Sequence, residues 1–291
     1  MRRTELRARL ESELGSAREA RWLIDDVLGP AGPGTPADVD DRAAARVTEL
    51  ARRRQAGEPL QYVLGHWAFR TLDVVVDRRV LIPRPETEQV VERALLELAA
   101  AAAGRPDPVV VDLGTGSGVI ALSVALEAAA AHPGVSVWAV DDAPAALAVA
   151  SINRDRVGVT HPGVAERVRL RLGRWFEALP DTLLGGVALL VSNPPYVAES
   201  EWAELDPEVR LEPRHALVGA DGARGAGGMA DVEAIVDGAR RWLTPAGALV
   251  VEIAPHQATA ALDAAGSSGF ASAAVLKDLA GRERTLVARN R

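Results

Sequence analysis

Cysteine is missing from the 291-residue chain. Its absence excludes disulfide bonds and thiolate metal sites. Histidine is scarce as well, and the few histidines present do not stand at the spacing of metal ligands: His66, His132, His161, His215 and His256. We therefore expect each histidine to be a surface or structural residue, and we expect no metal in this protein.

Long apolar runs are also missing. The amino-terminal stretch MRRTELRARLESELG is charged throughout and lacks the apolar core of a signal peptide. The alanine-rich run LLELAAAAAG is far shorter than the roughly 20 residues that span a bilayer. We interpret the chain as a cytoplasmic protein without a membrane partner.

Positive charge is in deficit. Lys and Arg together number 33 against 40 Asp and Glu, which gives a formal net charge of -7. A protein that binds a phosphate backbone usually carries a basic surface. This balance disfavours nucleic acid as a partner, and we expect no stable nucleic-acid complex.

Three helical segments are predicted at the amino terminus. Apolar residues recur at three- and four-residue spacing in residues 6–15, 17–29 and 39–57, and each segment ends at a glycine suited to a helix carboxyl terminus. Residues 1–65 carry 11 Arg and 11 acidic side chains, so this part of the chain is electrically neutral. Neutrality suits a protein partner better than DNA. We assign residues 1–66 to a helical domain that docks a substrate protein.

The next segment changes in character. LDVVVD and RRVLI, residues 72–77 and 78–82, are typical of two short strands, and we expect a hairpin linker over residues 67–85. Prolines end this linker because they cannot donate to a strand ladder. Glu86 or Thr87 is then expected to open the following helix.

Strand and helix alternate from residue 108 onward. Apolar runs such as PVVVDLG, VSVWAVD, GVALLVSN and GALVVEI are separated by helical patterns, and the last segment predicts two further strands. Continuous apolar strands that alternate with helices indicate a mostly parallel sheet with helices on both faces. The predicted fold class is therefore α/β.

A glycine-rich loop follows the first strand of this alternation. It reads G-x-G-x-G and comprises Gly114, Thr115, Gly116, Ser117 and Gly118. Such glycines let a ligand approach the backbone closely at the carboxyl end of the strand, although a tight structural turn is an alternative explanation. The dinucleotide fingerprint needs Gly or Ala where Val119 stands, which disfavours a nicotinamide oxidoreductase.

An acidic residue follows the loop at the spacing of a ribose ligand. Asp141 ends the next strand, 23 residues after Gly118, and a spacing of about 20 residues suits a carboxylate that binds a ribose diol. Asp142 is an alternative, and capping of the next helix is an alternative role for Asp141. Loop and acid together indicate an adenosine-type ligand without a pyrophosphate, and S-adenosylmethionine fits that description. Trp175 or Phe176 is the candidate to flank the adenine, with a place in the core as the alternative for either.

The stretch SNPPY ends another apolar strand at the same edge of the sheet. The Asn193 side chain and the Pro194 backbone each offer a carbonyl acceptor, and Pro194 and Pro195 fix the direction of both. Paired acceptors select an NH2 group, and Tyr196 offers a flat face to a planar amide or base. We therefore predict methyl transfer from a sulfonium to a planar NH2 nitrogen without a His or carboxylate base. Asn193, Pro194 and Tyr196 are the predicted catalytic residues.

Several motifs together resemble one known family. From about residue 58 to the carboxyl terminus, EPLQYVLG, VLIPRPETE, DLGTGSG, VSNPPYV, EPRHAL and KDLAGRERTLVAR are similar to the release-factor glutamine methyltransferases. The resemblance implies a Rossmann-like class I methyltransferase sheet over residues 86–291, preceded by the helical domain and the β-hairpin linker. It also implies that S-adenosylmethionine methylates the side-chain nitrogen of the glutamine in the Gly-Gly-Gln motif of class 1 peptide chain release factors.

The resemblance also implies site residues. Cofactor contacts are implied for Gly114, Thr115, Gly116, Ser117, Gly118, Asp141, Trp175 and Asn193. Contacts with the target glutamine are implied for Asn193, Pro194, Pro195 and Tyr196. Arg84, Glu86 and Glu88 are expected at the target entrance, with helix capping and a surface ion pair as their alternative roles. Two residues depart from the family pattern: Arg174 stands where an acid is usual, and Ala254 where glycine is usual.

Two other functions stay open. Asn-Pro-Pro-Tyr is shared with adenine-N6 methyltransferases of DNA and RNA, which need a basic surface and a target-recognition domain. A nucleotide sensor that has lost catalysis would carry damage in the glycine loop or in the proline segment, and both are intact in this sequence.

Overall fold

Four helices form the amino-terminal module. The computed structural model describes residues 1–224 and 227–290. The helices of the module are α1 Arg3–Leu14, α2 Ala17–Leu28, α3 Asp41–Gln55 and α4 Leu60–Leu64. Ser16 and Asp40 cap α2 and α3, because their side chains accept the backbone N–H groups of Glu19 and Ala43 at 3.2 and 2.8 Å. The predicted helices are confirmed, while the docking role of the module stays a prediction.

The module has a hydrophobic core of its own. Leu6 and Leu10 of α1 pack with Leu23 of α2 and with Val47 and Leu50 of α3, and all five are fully buried. Each of these residues contributes about 1.5–3 kcal/mol by leaving water. The four helices therefore hold together through side chains that the sequence spaces three and four residues apart.

The hairpin lies earlier than the sequence predicted. It consists of β1 His66–Phe69 and antiparallel β2 Leu72–Val75. Residues 78–82 form no strand, so the prediction for RRVLI was wrong. Asp77 explains the difference, because its side chain accepts the backbone N–H of Arg79 at 3.0 Å and turns the chain where a strand would have begun.

A seven-stranded sheet forms the larger part of the molecule. Its strands are β3 Val109–Leu113, β4 Ser136–Asp141, β5 Val168–Leu172, β6 Val187–Ser192, β7 Leu243–Glu252, β8 Ser272–Lys277 and β9 Glu283–Arg289. Their order across the sheet is β5-β4-β3-β6-β7-β9-β8. The first five strands in this order are parallel, and β9 runs antiparallel to both β7 and β8. The predicted mostly parallel, Rossmann-like sheet is confirmed.

Helices cover both faces of this sheet. They are α5 Pro85–Ala101, α6 Val119–Glu127, α7 Pro144–Thr160, α8 Val164–Arg167, α9 Ala230–Ala239 and α10 Ala258–Ser267. Val110 packs into the core on the side of α5 to α8, and its neighbour Val111 packs into the core beside α9 and α10. Because alternate residues face opposite cores, β3 is apolar at nearly every position. Within residues 1–224 and 227–290, none of the helices combines the length and the apolarity that a membrane span requires.

Helix α5 begins earlier than expected. Pro85, rather than Glu86 or Thr87, is its first residue, and Arg84 precedes it in an extended conformation. Proline is favoured at a first helical position because its missing N–H group would have no partner there. Thr87 therefore lies inside the first turn, where its side chain is buried against the sheet.

The strand order reverses beside β3, and this reversal places the functional site. From β3 the chain passes to β4 and β5 on one side, and later returns to β6 on the other side. Ligands of open α/β sheets bind at the carboxyl ends of strands next to such a reversal. The glycine loop follows β3, Asp141 ends β4, and Asn193 follows β6.

Candidate active site

A cavity of about 330 Å³ opens at this edge of the sheet. It brings together most of the predicted site residues, namely Arg84, Gly114, Thr115, Gly116, Ser117, Asp141, Trp175, Asn193 and Pro195. Its volume lies at the lower end of the range of about 300–1,000 Å³ that small-molecule sites occupy. Segments that are far apart in the chain therefore meet at one cavity, and its role as the site stays a prediction.

The glycine loop needs its glycines for two different reasons. Gly114 and Gly116 line the cavity with φ of 73° and 55°, a backbone region that favours glycine. A Cβ on Gly114 would also lie 3.3 Å from the Trp175 ring. Gly118 does not line the cavity, although it was predicted to contact the cofactor. It caps α6, and a Cβ there would lie 3.3 Å from Ala150.

A buried carboxylate supports the loop from below. Asp112 Oδ2 accepts hydrogen bonds from Thr115 Oγ1 at 2.6 Å and from the backbone N–H of Ala121 at 3.2 Å. Burial raises the pKa of Asp112 to about 7. Sequence reasoning missed this residue, and the available signal was an acid inside the otherwise apolar strand VVVDL.

Asp141 holds the glycine loop and the start of α7, while its contact with a ribose stays a prediction. Its Oδ2 accepts the backbone N–H of Gly116 at 2.8 Å, and its Oδ1 accepts that of Ala143 at the start of α7 at 2.9 Å. Each carboxylate oxygen keeps acceptor capacity for a further donor, such as a ribose hydroxyl. Burial raises the pKa of Asp141. Asp142 also lines the cavity but is exposed.

Of the two aromatic candidates, Trp175 is the one at the cavity. The Phe176 ring stacks on Trp242 inside the core, with 5.9 Å between ring centroids. Trp175 lines the cavity and adopts a φ of 48°, which is rare for a bulky residue. Its indole Nε1 is buried and has no hydrogen-bond partner among residues 1–224 and 227–290. Trp242 Nε1 in the core is also buried and unpaired within these ranges, so it is the position at the cavity that distinguishes Trp175.

The Asn193 carboxamide is held on one side only. Its Nδ2 donates to Thr87 Oγ1 at 3.1 Å. Its Oδ1 is buried, and no donor from the described part of the chain reaches it. The Pro194 carbonyl likewise accepts no hydrogen bond from residues 1–224 or 227–290. Both predicted acceptors are therefore unpaired, although the buried oxygen of Asn193 must be uncovered before a target reaches it.

The proline segment is packed firmly from behind. The backbone N–H of Val197 donates to the Leu217 carbonyl at 2.9 Å, and that of Gly219 donates to the Val197 carbonyl at 3.0 Å. A Cβ on Gly219 would lie only 2.7 Å from the Pro195 carbonyl oxygen. Segment 197–219 thus fixes the position of the prolines as well as their conformation.

Comparison with known proteins identifies the family. The chain is 41% identical to the release factor glutamine methyltransferase of Cereibacter sphaeroides over 279 residues, which cover 94% of this chain and 91% of that protein. It is 42% identical to the protein of the same name from Gloeobacter violaceus, covering 93% of this chain and 90% of that one. The chain belongs to the release factor glutamine methyltransferase family. No family model matches the sequence.

Solved structures of other methyltransferases are similar to parts of this methyltransferase. The 16S rRNA N2 G1207 methyltransferase of T. thermophilus, in complex with AdoMet and guanosine, is 17% identical with a TM-score of 0.47, covering 78% of this chain and 50% of that one. The ribosomal protein L11 methylase of Lactobacillus delbrueckii is also 17% identical, with a TM-score of 0.46 and coverage of 77% and 97%. The fold assignment rests on the strand order and not on these two likenesses.

The two departures from the family pattern have structural explanations. Arg174 lines the cavity, and its Nη2 donates to Asp231 Oδ1 at 2.9 Å. Asp231 lies on α9 and also lines the cavity, so an acid is present beside Trp175 although it comes from another element. Ala254 adopts an extended backbone with φ of -74°, which any residue tolerates, so glycine is not required there.

Three residues predicted to bind the target do not line this cavity. Pro194 is buried. Tyr196 donates its hydroxyl to Glu252 Oε1 at 3.2 Å, so this group faces the interior and not a ligand. Glu86 pairs with Arg282 at 2.8 Å, which agrees with the alternative of a surface ion pair. The contacts of these three residues with the target therefore stay predictions, and the Pro194 carbonyl is still an unpaired acceptor among the described residues.

Arg84 is the entrance residue that does lie at the cavity. Its guanidinium pairs with Glu212, whose other oxygen accepts the backbone N–H of Ile82 at 2.8 Å. Glu88 instead accepts the backbone N–H of Arg70 at 3.0 Å. The segment that carries Arg84 is thus held against the segment that contains EPRHAL, on the side of the cavity next to the prolines.

Thr87 and Glu252 are the remaining residues that sequence reasoning missed. Thr87 Oγ1 accepts from Asn193 Nδ2 and donates to Glu252 Oε2 at 2.7 Å. Glu252 ends β7 and is buried, and burial raises its pKa. The available signal was an acid that closes an apolar strand at the same edge as the glycine loop. In the part of the chain that the structure describes, no three His, Asp or Glu side chains cluster in a way that could hold a metal ion.

Proposed function

We propose that this methyltransferase transfers a methyl group from S-adenosylmethionine to the side-chain nitrogen N5 of the glutamine in the Gly-Gly-Gln motif of class 1 peptide chain release factors. The reaction modulates translation termination and takes place in the cytoplasm. The single observation that carries the proposal is the buried, unpaired Oδ1 of Asn193, a residue that lines the same cavity as the glycine loop.

The residues of the cavity fit S-adenosylmethionine. Gly114 and Gly116 leave room for a ligand against the backbone, Asp141 offers acceptors for ribose hydroxyls, and Trp175 offers an unpaired indole donor. Val119 in place of a third glycine or alanine disfavours a pyrophosphate. When bound, this group supplies a methyl on a sulfonium, which is already an activated leaving group.

The chain's own part in the reaction is to orient the target amide. An amide nitrogen is a poor nucleophile because its lone pair is delocalised into the carbonyl. The Asn193 Oδ1 and Pro194 carbonyl acceptors each suit one N–H of the target, which increases electron density on its nitrogen and directs it towards the methyl. The nitrogen gains the methyl and loses one proton to solvent, so the reaction needs no histidine or carboxylate base.

The helical module is the proposed docking site for the release factor. Arg54 on α3 pairs with Glu208 at 2.7 Å, and Glu208 lies in the segment that packs behind the prolines. A protein bound to the module therefore lies next to the segment that borders the cavity. The neutral module and the net charge of -7 support a protein target over nucleic acid.

Mass spectrometry of the target tests the proposal. Purified class 1 release factor is incubated with the enzyme and S-adenosylmethionine and then digested to peptides. We expect the Gly-Gly-Gln peptide to gain one CH2, to gain it far more slowly with Asn193→Ala, and to gain nothing when the motif glutamine is replaced by alanine. Methylation of adenine in DNA or RNA, with the release factor unmodified, would overturn the proposal in favour of an adenine-N6 methyltransferase.

A further inference from the structure

Two buried polar side chains, Thr87 and Glu252, are linked to the Asn193 carboxamide by successive hydrogen bonds. We infer that Thr87 and Glu252 are positioning residues that determine which end of the Asn193 carboxamide is available to the target. They hold its NH2 group and so keep its oxygen free as the acceptor. This inference rests on the proposed function and explains how the acceptor comes to be presented.

The hydrogen bonds at Thr87 run in one direction. Thr87 Oγ1 lies 2.7 Å from Glu252 Oε2 and 3.1 Å from Asn193 Nδ2. A hydroxyl carries a single hydrogen, and here it is donated to the carboxylate. Towards Asn193, therefore, Thr87 only accepts. A flipped carboxamide would place Asn193 Oδ1 against the lone pairs of Thr87, so the observed orientation is the one that this contact permits.

Glu252 accepts two hydroxyl hydrogen bonds. Both side-chain oxygens of Glu252 act as acceptors in this arrangement. Its Oε2 receives the Thr87 hydroxyl, and its Oε1 receives the Tyr196 hydroxyl at 3.2 Å. Because Glu252 is 1% exposed, water does not compete for these bonds. Because Glu252 takes the hydroxyl hydrogen of Thr87, Thr87 can only accept from Asn193. This fixes the orientation of the Asn193 carboxamide.

The other two asparagines show how unusual this arrangement is. The chain contains three asparagines, Asn153, Asn193 and Asn290. Asn153 is fully buried and satisfied, since its Oδ1 accepts the Val75 N–H at 2.7 Å and its Nδ2 donates to the Val75 and Ser117 carbonyls at 3.0 and 2.9 Å. Asn290 Oδ1 likewise has a donor, Arg240 Nε at 3.3 Å. Asn193 alone of the three has a buried oxygen without a donor in the described structure.

Kinetics of two Thr87 variants test the inference. Thr87→Val replaces the hydroxyl by a methyl group of similar size, and Thr87→Ser keeps the hydroxyl. We expect Thr87→Val to lower kcat for release-factor methylation by about 10–100-fold, the scale of losing a supporting hydrogen bond behind a reactive group. S-adenosylmethionine affinity should stay unchanged, and Thr87→Ser should restore kcat to within about threefold of wild type. Wild-type kcat in Thr87→Val, or equal losses in both variants, would overturn the inference.

A spectroscopic measurement tests it without any methyl transfer. Selective ¹⁵N-asparagine labelling of the full chain gives three side-chain NH2 signals, and Asn153 and Asn290 serve as internal references. We expect the Asn193 signals to shift in Thr87→Val and to stay in place in Thr87→Ser. If the Asn193 signals are the same in both variants, the inference is wrong. If instead the wild-type enzyme leaves release factors unmodified but these shifts occur, the proposed function fails and the positioning role stands.

Variants of Glu252 keep the inference testable if Thr87→Val does not fold. Glu252→Gln can still accept from Thr87 through its Oε1 while its NH2 faces the Tyr196 oxygen, so we expect Asn193 signals like those of wild type. Glu252→Met has a similar volume and accepts no such bond, which frees the Thr87 hydrogen to pair with Asn193 Oδ1. We expect this variant to shift the Asn193 signals and to lower kcat; no difference between the two variants would contradict the proposed role.

Discussion

At the scale of single residues, Asn193 and Trp175 combine two properties. Each contributes to the wall of the same cavity, and each holds a buried polar atom without a partner in the described structure. One atom is an acceptor and the other a donor, so together they suit a ligand that offers both groups. The described structure has seven further unpaired buried side-chain atoms, none on a residue that lines the cavity, so the shared location is what makes these two candidates for binding.

Replacing Asn193 tests its role in turnover. Asn193→Ala removes the acceptor for the target amide but leaves the cofactor wall in place. We expect turnover to fall by about 10²–10³-fold, the effect of losing a preorganised polar contact. Cofactor affinity, measured by calorimetry, should stay within about tenfold of wild type. Asn290→Ala, far along the chain and outside the cavity, is the control, and unchanged single-turnover rates in Asn193→Ala would contradict the assignment.

Gly116 tests the location of the cofactor. Gly116→Arg places a long side chain where the loop borders the cavity, and we expect S-adenosylmethionine binding to be abolished in calorimetry. Gly15→Arg is the matched control, because Gly15 has a similar φ of 66° against 55° for Gly116 and both have open space around a Cβ. Equal cofactor affinity of the two variants would contradict binding at this loop.

Asp112 gives the protein a predictable dependence of stability on pH. Its pKa rises from 3.8 to about 7 because it is buried. The folded protein therefore holds this proton more tightly than the unfolded chain, and the free energy of unfolding falls as pH rises between about 4 and 7. We expect Asp112→Asn to reduce this fall, as measured by urea unfolding across that range. The same pH slope in wild type and variant would show that Asp112 does not titrate in this way.

At the scale of secondary structure, the sequence predicted what depends on local pattern and missed what depends on distant partners. Strands covered on both faces are apolar throughout, so the sheet could be predicted from sequence. RRVLI looks like a strand, yet Asp77 turns the chain and Ile82 donates its N–H to Glu212, 130 residues away. Local pattern does not contain such a partner.

The same distinction applies to the site. The glycine loop, Asp141 and Asn193 could be predicted because each ends a strand at the same edge of the sheet. Thr87 could not be predicted, because its role depends on contacts with Asn193 and Glu252. These residues lie 106 and 165 positions further along the chain. The bond from the Tyr196 hydroxyl to Glu252 could not be predicted either, and stacking of its ring on the target stays a prediction.

The ion pair of Arg84 with Glu212 tests how the cavity-lining segments are joined. The Glu212 side chain is 1% exposed, and its removal leaves Arg84 and the Ile82 N–H without a partner. We expect Glu212→Ala to lower the free energy of unfolding by about 3–5 kcal/mol. Glu199→Ala breaks an exposed pair with Arg214 on the same segment and should cost less than about 1 kcal/mol. Similar losses in the two variants, measured by urea denaturation, would contradict the role of Glu212.

At the scale of the whole molecule, the helical module and the cavity are joined through Arg54. This residue pairs with Glu19 inside the module and with Glu208 in the segment behind the prolines. We expect Arg54→Glu to raise KM for intact release factor while leaving KM for a Gly-Gly-Gln peptide unchanged, because only the intact protein reaches the module.

Arg52→Glu is the control for this comparison. Arg52 is exposed and pairs only with Glu49 on its own helix, as far as the described residues show. We expect this variant to leave KM for both substrates at wild-type values. If Arg54→Glu changes KM for the peptide as strongly as KM for the protein, the module does not act through docking.

The central claim is that Asn193 presents its oxygen to the target amide. A crystal structure of the enzyme with S-adenosylhomocysteine and a Gly-Gly-Gln peptide tests it most directly. We expect the glutamine nitrogen to lie about 2.7–3.2 Å from Asn193 Oδ1, with Thr87 still bound to the Asn193 NH2 group. A glutamine bound elsewhere in the cavity, or an Asn193 oxygen turned towards Thr87, would contradict the account.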